Sequence, residues 1–279
     1  MQTPSFIFSV DVEDWFHSEN LPVTYHDWPN LESRVTRNTE KLLSILDKYQ
    51  IKGTFFILGW VAQRERNLVL EIKARGHEIA CHGFNHQLVY RLSESEFKDD
   101  TKKAKDLLED ITGGKILGYR ASNFSITDRA IDILRELGFG YDSSLCPVFY
   151  HDRYGKLNNY QIDPNADVIQ LHPGFWEVTI PVWQIGKYSL PWGGGGYFRL
   201  LPYPLYKIGI KSIVKKRPSF LFYIHPREID PGQPYFAQIP WMGRFRHYVG
   251  LKQAETRLNH LCKDYKFQPI KEKLGIMQV

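Results

Sequence analysis

Apolar residues in this chain follow two alternating rhythms. Short runs rich in Phe, Ile, Val and Tyr cover 6–12, 53–58, 78–81, 116–120, 141–143, 168–171 with 176–181, and 219–225, and read as strands. Between them, apolar positions recur at helical spacing over 34–49, 61–75, 94–111, 128–137 and 204–214, and a last helix over 251–265 closes the chain. Ser93 and Glu96 make a capping box for the third helix, and Gly76, Gly113 and Gly138 stand where helix C-caps are expected. Strand–helix alternation implies βα units and a parallel sheet. About seven such units predict an α/β fold, a distorted TIM-like (β/α)7 barrel in a single domain. Residues 1–226 are expected to form the barrel, and 227–279 a C-terminal extension packed on it.

Composition narrows the function classes. With 279 residues and 43% hydrophobic content the chain can bury a large core. No run approaches the roughly 20 apolar residues that span a bilayer, and the N-terminus has neither a basic region nor an apolar signal core. Three widely spaced cysteines, Cys81, Cys146 and Cys262, argue against a disulfide framework and fit a reducing compartment, so a cytoplasmic location is expected. The net charge of +5 is mild, and the densest basic run, 211–217, reads as a solvated helix end. A nucleic-acid partner is therefore not expected, and a homo-oligomer stays open. Aromatics at 14% are compatible with a carbohydrate site, for which Trp15, Trp176, Trp183 and Trp192 are candidate platforms.

The chemically suggestive residues gather where the strands end. His82-Gly-Phe-Asn-His86 follows the third strand directly, and two imidazoles four residues apart would share one face of a helical turn. The first strand ends in Asp11, Glu13 and Asp14; Arg120 ends the fourth, Asp142 lies in the fifth and His225 ends the last. Catalytic residues of such barrels collect at the C-terminal ends of the strands. Two histidines and one carboxylate, with a position left for water, point to metal-dependent hydrolysis. Spacing leaves the carboxylate open: Glu13 shares a strand face with Asp11, while Asp14 begins the turn. Cys81 should point away from His82 as a buried thiol. The four glycines 193–196 lack the Lys-Ser/Thr of a phosphate loop and read as a mobile lip over the site.

In this order, these residues resemble the NodB-type polysaccharide deacetylases of carbohydrate esterase family 4. The resemblance is carried by Asp11-Val-Glu13-Asp14, His82-Gly-Phe-Asn-His86, Arg120-Ala-Ser122-Asn-Phe124, Tyr141-Asp142 and Tyr223-Ile-His225, and it covers roughly residues 4–226. Residues 191–202 and 244–250 further resemble a subfamily found with exopolysaccharide-locus enzymes. Three departures stand out: Asp-Val-Glu-Asp for the adjacent aspartate pair, Gly83 for Ser/Thr, and Ser122 for proline. The resemblance implies a hydrolase that removes N-acetyl groups from amino sugars of a polysaccharide or glycan precursor. It implies one divalent metal, zinc with cobalt, nickel or iron as alternatives, on His82, His86 and Glu13 or Asp14. Asp11 would be the general base, oriented by Arg120; the backbone N–H of Phe124 would help hold the oxyanion. His225 would protonate the leaving amine, with Asp142 or Glu177 steadying its ring. An allantoinase-like cyclic-amide hydrolase and a catalytically inactive glycan-binding relative are the alternatives.

Overall fold

The computed structural model describes residues 3–148, 154–186 and 188–276. The first half follows a simple alternation: β1 (Ser5–Val12), α1 (Val35–Lys48), β2 (Thr54–Ile57), α2 (Gly59–Arg64), α3 (Arg66–Ala74), β3 (Glu78–Cys81), α4 (Glu94–Thr112), β4 (Gly118–Tyr119), α5 (Asp128–Glu136) and β5 (Tyr141–Asp142). The second half is less regular. It runs through β6 (Val168–His172), β7 (Phe175–Val178), β8 (Val182–Ile185), β9 (Tyr188–Pro191), α6 (Gly195–Leu200), α7 (Tyr203–Ile213) and β10 (Ser219–Ile224). It ends with α8 (Trp241–Tyr248), α9 (Leu251–Asp264), β11 (Phe267–Gln268) and α10 (Ile270–Leu274). The helix expected over 61–75 is two, broken at Glu65, whose backbone (φ −117°, ψ 49°) leaves the helical region.

The main sheet has the order β10-β1-β2-β3-β4-β5-β7-β6, parallel except for the β6–β7 pair, with β11 joining the lower end of β1. The edges of the curl are joined through a segment that is not a regular strand. Trp192 donates its N–H to the Pro181 carbonyl (2.9 Å), and Tyr223 donates to Gly193 (2.8 Å). A Cβ on Gly194 would sit 1.9 Å from the Tyr223 carbonyl oxygen, so glycine is needed there for the two backbones to meet. The glycine run is therefore a built part of the barrel wall, with Gly195 and Gly196 opening α6, and the lip expected from sequence is corrected.

Alternation along the strands sorts the core. Phe8, Val10 and Val12 of β1, Phe55 and Ile57 of β2 and Phe220, Phe222 and Ile224 of β10 pack towards the helices with Leu42, Leu46 and Leu258. The opposite positions, Ile7, Phe56, Tyr141, Val178 and Leu221, form a second cluster that Ile270 of α10 closes. The same inward face carries Ser9 and Asp11 further along β1, and Glu13 follows just past its end. One strand therefore supplies an apolar floor and, three steps on, the polar end of the site. The segment 227–276 returns to this barrel through α9, β11 and α10: Ile270 donates its N–H to the Thr54 hydroxyl (2.8 Å) and Lys271 to Glu78 (3.0 Å).

Candidate active site

Glu13 lies between the two histidines. One of its oxygens is 2.9 Å from the Nε2 of His82 and 2.9 Å from the Nε2 of His86, and all three groups are buried. One ligand atom from each lies within 4.8 Å of the others. The Nδ1 of His82 is 2.7 Å from the Arg120 carbonyl, which fixes the N–H on that nitrogen and turns the Nε2 lone pair to the centre. Burial works to raise the Glu13 carboxyl, but His86, His225 and His82 together hold it well below the usual carboxylate range. For His82, burial works against the charge, and its bond to Glu13 with the charges of Asp11 and Glu13 carries the net shift upward. A charged carboxylate gripped by two imidazole Nε2 atoms is a donor set suited to a divalent transition-metal ion.

The histidine pair does not lie on a helical turn as its spacing predicted. Gly83 (φ +72°) and His86 (φ +54°) are left-handed, so 82–86 is a loop. Asp100 of α4 accepts from the Phe84 N–H (2.7 Å) and the Asn85 N–H (3.1 Å), while Gly59 and Trp60 at the start of α2 donate to the Gly83 and Phe84 carbonyls. The hydroxyl absent at Gly83 is thus replaced by backbone anchoring from two helices.

Asp14 is not part of this centre. Its carboxylate accepts from the Trp15 N–H (2.8 Å), the Ser33 hydroxyl (2.8 Å) and the N–H groups of Arg34 (2.8 Å) and Val35 (3.1 Å). Four donors hold it as the cap of the turn after β1 and of the start of α1.

Asp11 and Arg120 are paired as expected, with Nη1 to Oδ1 at 2.7 Å. The guanidinium is saturated: Nη1 also donates to Ser9, Nε to the Ser143 carbonyl (2.8 Å) and Nη2 to the Ser143 hydroxyl (2.9 Å), and its face lies 4.0 Å from the Phe56 ring centroid. The Nε2 of His225 faces this pair across the site, 3.8 Å from Asp11 and 3.8 Å from Glu13.

Two expected supports are corrected. The Phe124 N–H donates to the Ala121 carbonyl (3.0 Å) inside a tight turn in which Asn123 and Phe124 both have positive φ, so that donor is already engaged. Asp142 and Glu177 do not touch His225; they accept from Ser144 and Leu145 and hold the loop that carries Ser143 under Arg120.

The group beside the His225 ring is Glu228, three residues on. Its Oε2 is 3.4 Å from Nδ1 and accepts the His225 N–H (3.2 Å), while its Oε1 accepts from Nε of Arg199 (2.8 Å). Burial works against the Glu228 charge, but Arg199 and His225 hold its carboxyl far below the ordinary value. Arg199 is itself fixed by the backbone carbonyls of Arg246, His247 and Val249. The one trace of this in the sequence is the capping-box spacing from His225 to Glu228; nothing local points to Arg199.

A cavity of about 400 Å³ opens above these groups, with Asp11, Glu13, His86, His225 and Glu228 at its base. None of the four candidate tryptophans lines it. Its aromatic wall is Phe124, Tyr154, Tyr197, Tyr223 and Phe245, and Leu200, Met242 and Phe245 are exposed at its rim.

Residues 18–141 match the family described as polysaccharide deacetylase, and residues 143–275 match a family described only as a domain of unknown function, DUF3473. A peptidoglycan deacetylase of Helicobacter pylori is 23% identical over 211 residues, 75% of this chain and 67% of that protein. A peptidoglycan-N-acetylglucosamine deacetylase of Bacillus cereus is 30% identical over 98 residues, and the match spans 35% of this chain and only 34% of that protein. Among solved structures, one from Mycobacterium smegmatis assigned to the polysaccharide deacetylases superposes with a TM-score of 0.63 at 17% identity, covering 97% of this chain and 88% of that one. A CE4-family pseudoenzyme from Bacillus anthracis gives a TM-score of 0.51 at 16% identity, over 99% of this chain and 67% of that one. These two likenesses establish the fold.

Proposed function

Because residues 18–141 of this chain match the polysaccharide deacetylase family, we propose that the protein is a metal-dependent hydrolase that removes N-acetyl groups from amino sugars. The observation that carries this reading is the single Glu13 oxygen held 2.9 Å from both histidine Nε2 atoms, opposite the Asp11–Arg120 pair and His225. His82, His86 and Glu13 would hold the metal. Bound there, a divalent ion supplies Lewis acidity and brings the pKa of a bound water from about 16 towards 7. Zinc suits two imidazoles and a carboxylate, as do cobalt, nickel and iron.

The chain's own groups divide the proton transfers. Asp11, aimed by Arg120, accepts the proton of the attacking water. Arg120 is suited to that task because its planar fork stays charged and is fixed on every side. His225 on the opposite wall delivers a proton to the departing amine, which is typically worth roughly 10²- to 10⁴-fold. Glu228 keeps the Nδ1 side of that ring occupied, so that Nε2 faces the reacting bond. The positions proposed for the ligands, the base and the acid are all filled, which favours an enzyme over an inactive glycan-binding relative.

Acetate release from N-acetylglucosamine oligomers, measured with and without a chelator, tests the proposal. Chelator-sensitive release is expected. Ring opening of a ureide without acetate release from any N-acetyl sugar would replace it with the cyclic-amide reading.

A further inference from the structure

Three arginines sit deep around the site, and two of them are fully engaged. Arg120 and Arg199 place every guanidinium nitrogen on a carboxylate, hydroxyl or carbonyl. Arg227 differs. It lines the cavity between His225 and Glu228, and its Nε and Nη1 are shielded from solvent without a hydrogen-bond partner. The residue as a whole is half-buried, so the rest of its fork reaches into the cavity.

Among the described residues, no unengaged carboxylate lines the cavity beside it. The acidic groups lining the cavity are Asp11, Glu13 and Glu228, and each is already bound: to Arg120, to the two histidines, and to Arg199 with His225. Burial drives the Arg227 guanidinium below its ordinary pKa, Arg199 adds to the strain, and Glu228 and Glu13 only partly offset it. An unpaired guanidinium withdrawn from water is costly unless something else completes it. A planar fork with open N–H groups matches an oxyanion in two-point contact. Arg246, exposed on α8, lines the same cavity and adds positive charge at its rim.

We propose that Arg227, with Arg246 at the rim, binds a carboxylate or phosphate group of the substrate, so that the deacetylated glycan is acidic close to the acetamido sugar. This rests on the deacetylase reading and narrows its substrate class. The anion would lie beside His225, tying recognition of the acidic group to placement of the amide that His225 protonates.

Calorimetric binding to the wild-type protein, with matched probes, tests the idea. One pair is an oligomer alternating N-acetylmuramic acid with N-acetylglucosamine against an N-acetylglucosamine oligomer of equal length. The other is UDP-N-acetylglucosamine against N-acetylglucosamine. The first pair isolates a carboxylate and the second a diphosphate. In at least one pair the anionic member should bind about tenfold or more tightly, a gap of the size expected for a charge-assisted two-point contact. Arg227→Gln should abolish that preference, and Arg246→Gln should reduce it. Arg227→Met should keep or raise Tm, because it removes an unpaired buried charge, while losing the preference as Arg227→Gln does. Equal binding within both pairs, or a preference retained in Arg227→Gln, overturns the proposal. Acetate release from neutral oligomers together with that outcome would leave the deacetylase reading standing; no acetate from any sugar would end that reading instead.

Discussion

From β1 to β5 each strand lies beside its predecessor in parallel, joined by a helical crossover, whereas beyond residue 143 the chain turns β6 back on β7, sends β8 and β9 out as a separate hairpin and closes the curl with glycines. The regular half supplies Asp11, Glu13, His82, His86 and Arg120. The irregular half supplies His225, its partner Glu228, Arg199 behind that, and most of the cavity wall. Family resemblance divides at the same place, between residues 141 and 143, although the sheet runs across it unbroken. Glu13, the two histidines and Asp11 sit on short strand-end motifs, whereas the support of His225 draws on contacts between segments far apart. Chemistry common to a family can thus be kept in one half while the other half changes how the acid is supported and what the cavity accepts.

The largest effects should come from breaking the regular half. Glu13→Gln and His86→Ala should each lose the bound metal and at least roughly a thousandfold in kcat/KM, because each removes one of three ligands. Asp14→Asn makes the contrast: metal content by elemental analysis should stay near one per chain, while Tm falls by an amount matching about 1 kcal/mol of lost capping. Metal lost in Asp14→Asn and retained in Glu13→Gln would reverse the assignment. Asp11→Asn should keep the metal and the fold yet lower kcat by roughly 10²- to 10⁴-fold, since only the base is gone.

A smaller effect is expected in the irregular half. Carboxylates that orient histidines are typically worth roughly 10- to 100-fold, so Glu228→Gln should lower kcat on an N-acetyl sugar by that much with metal content unchanged. An aryl acetate ester, whose leaving group needs no proton, should lose far less. Equal losses on both substrates would make Glu228 a structural residue. Asp142→Asn, by the same reasoning, should not discriminate between the two substrates.

How much of this was legible in the sequence follows the same divide. Strand runs and helix periods located the barrel, because inward and outward positions on β1 alternate strictly and the capping box at Ser93 is local. The order of motifs picked out residues that the fold brings together: Asp11, Glu13, His82, His86, Arg120 and His225. What failed depended on the third dimension. The histidine loop looks helical by spacing, but Gly83 and His86 adopt positive φ, which spacing does not report. Asp14 and Glu13 are neighbours with opposite fates, decided by the 33–35 backbone arriving from beyond a long loop. Arg199 reaches Glu228 from 29 residues away, and no pattern in the sequence connects them. Asp142 or Glu177 was expected beside His225 from the family resemblance, but both are claimed by the 144–145 backbone.

The smallest effect on activity is expected at that last pair, where the consequence should be one of stability and pH. Burial, and then the nearby charge of Asp142, push the Glu177 carboxyl well above its ordinary value of 4.5, and burial also raises Asp142. The upward shifts predict that the two carboxyls share a proton in the folded protein at neutral pH. A group whose folded pKa is raised stabilises fully below its unfolded value and loses that contribution as pH climbs through the folded value. Wild-type stability should accordingly decline from about pH 4.5 upward through the range over which the pair gives up its proton. Glu177→Gln removes this decline. Its amide carbonyl still accepts the Ser144 and Leu145 N–H groups, and its NH2 donates to Asp142 without titrating. Arg120 keeps its Ser143 support, so kcat/KM should stay within about twofold of wild type, as is usual for a substitution outside the reacting groups. Urea unfolding at pH 5, 7 and 9 should show the variant's advantage growing with pH. Parallel stability curves for the two proteins would mean that the pair does not hold a shared proton, and a large fall in kcat would mean that Glu177 reaches the reaction after all.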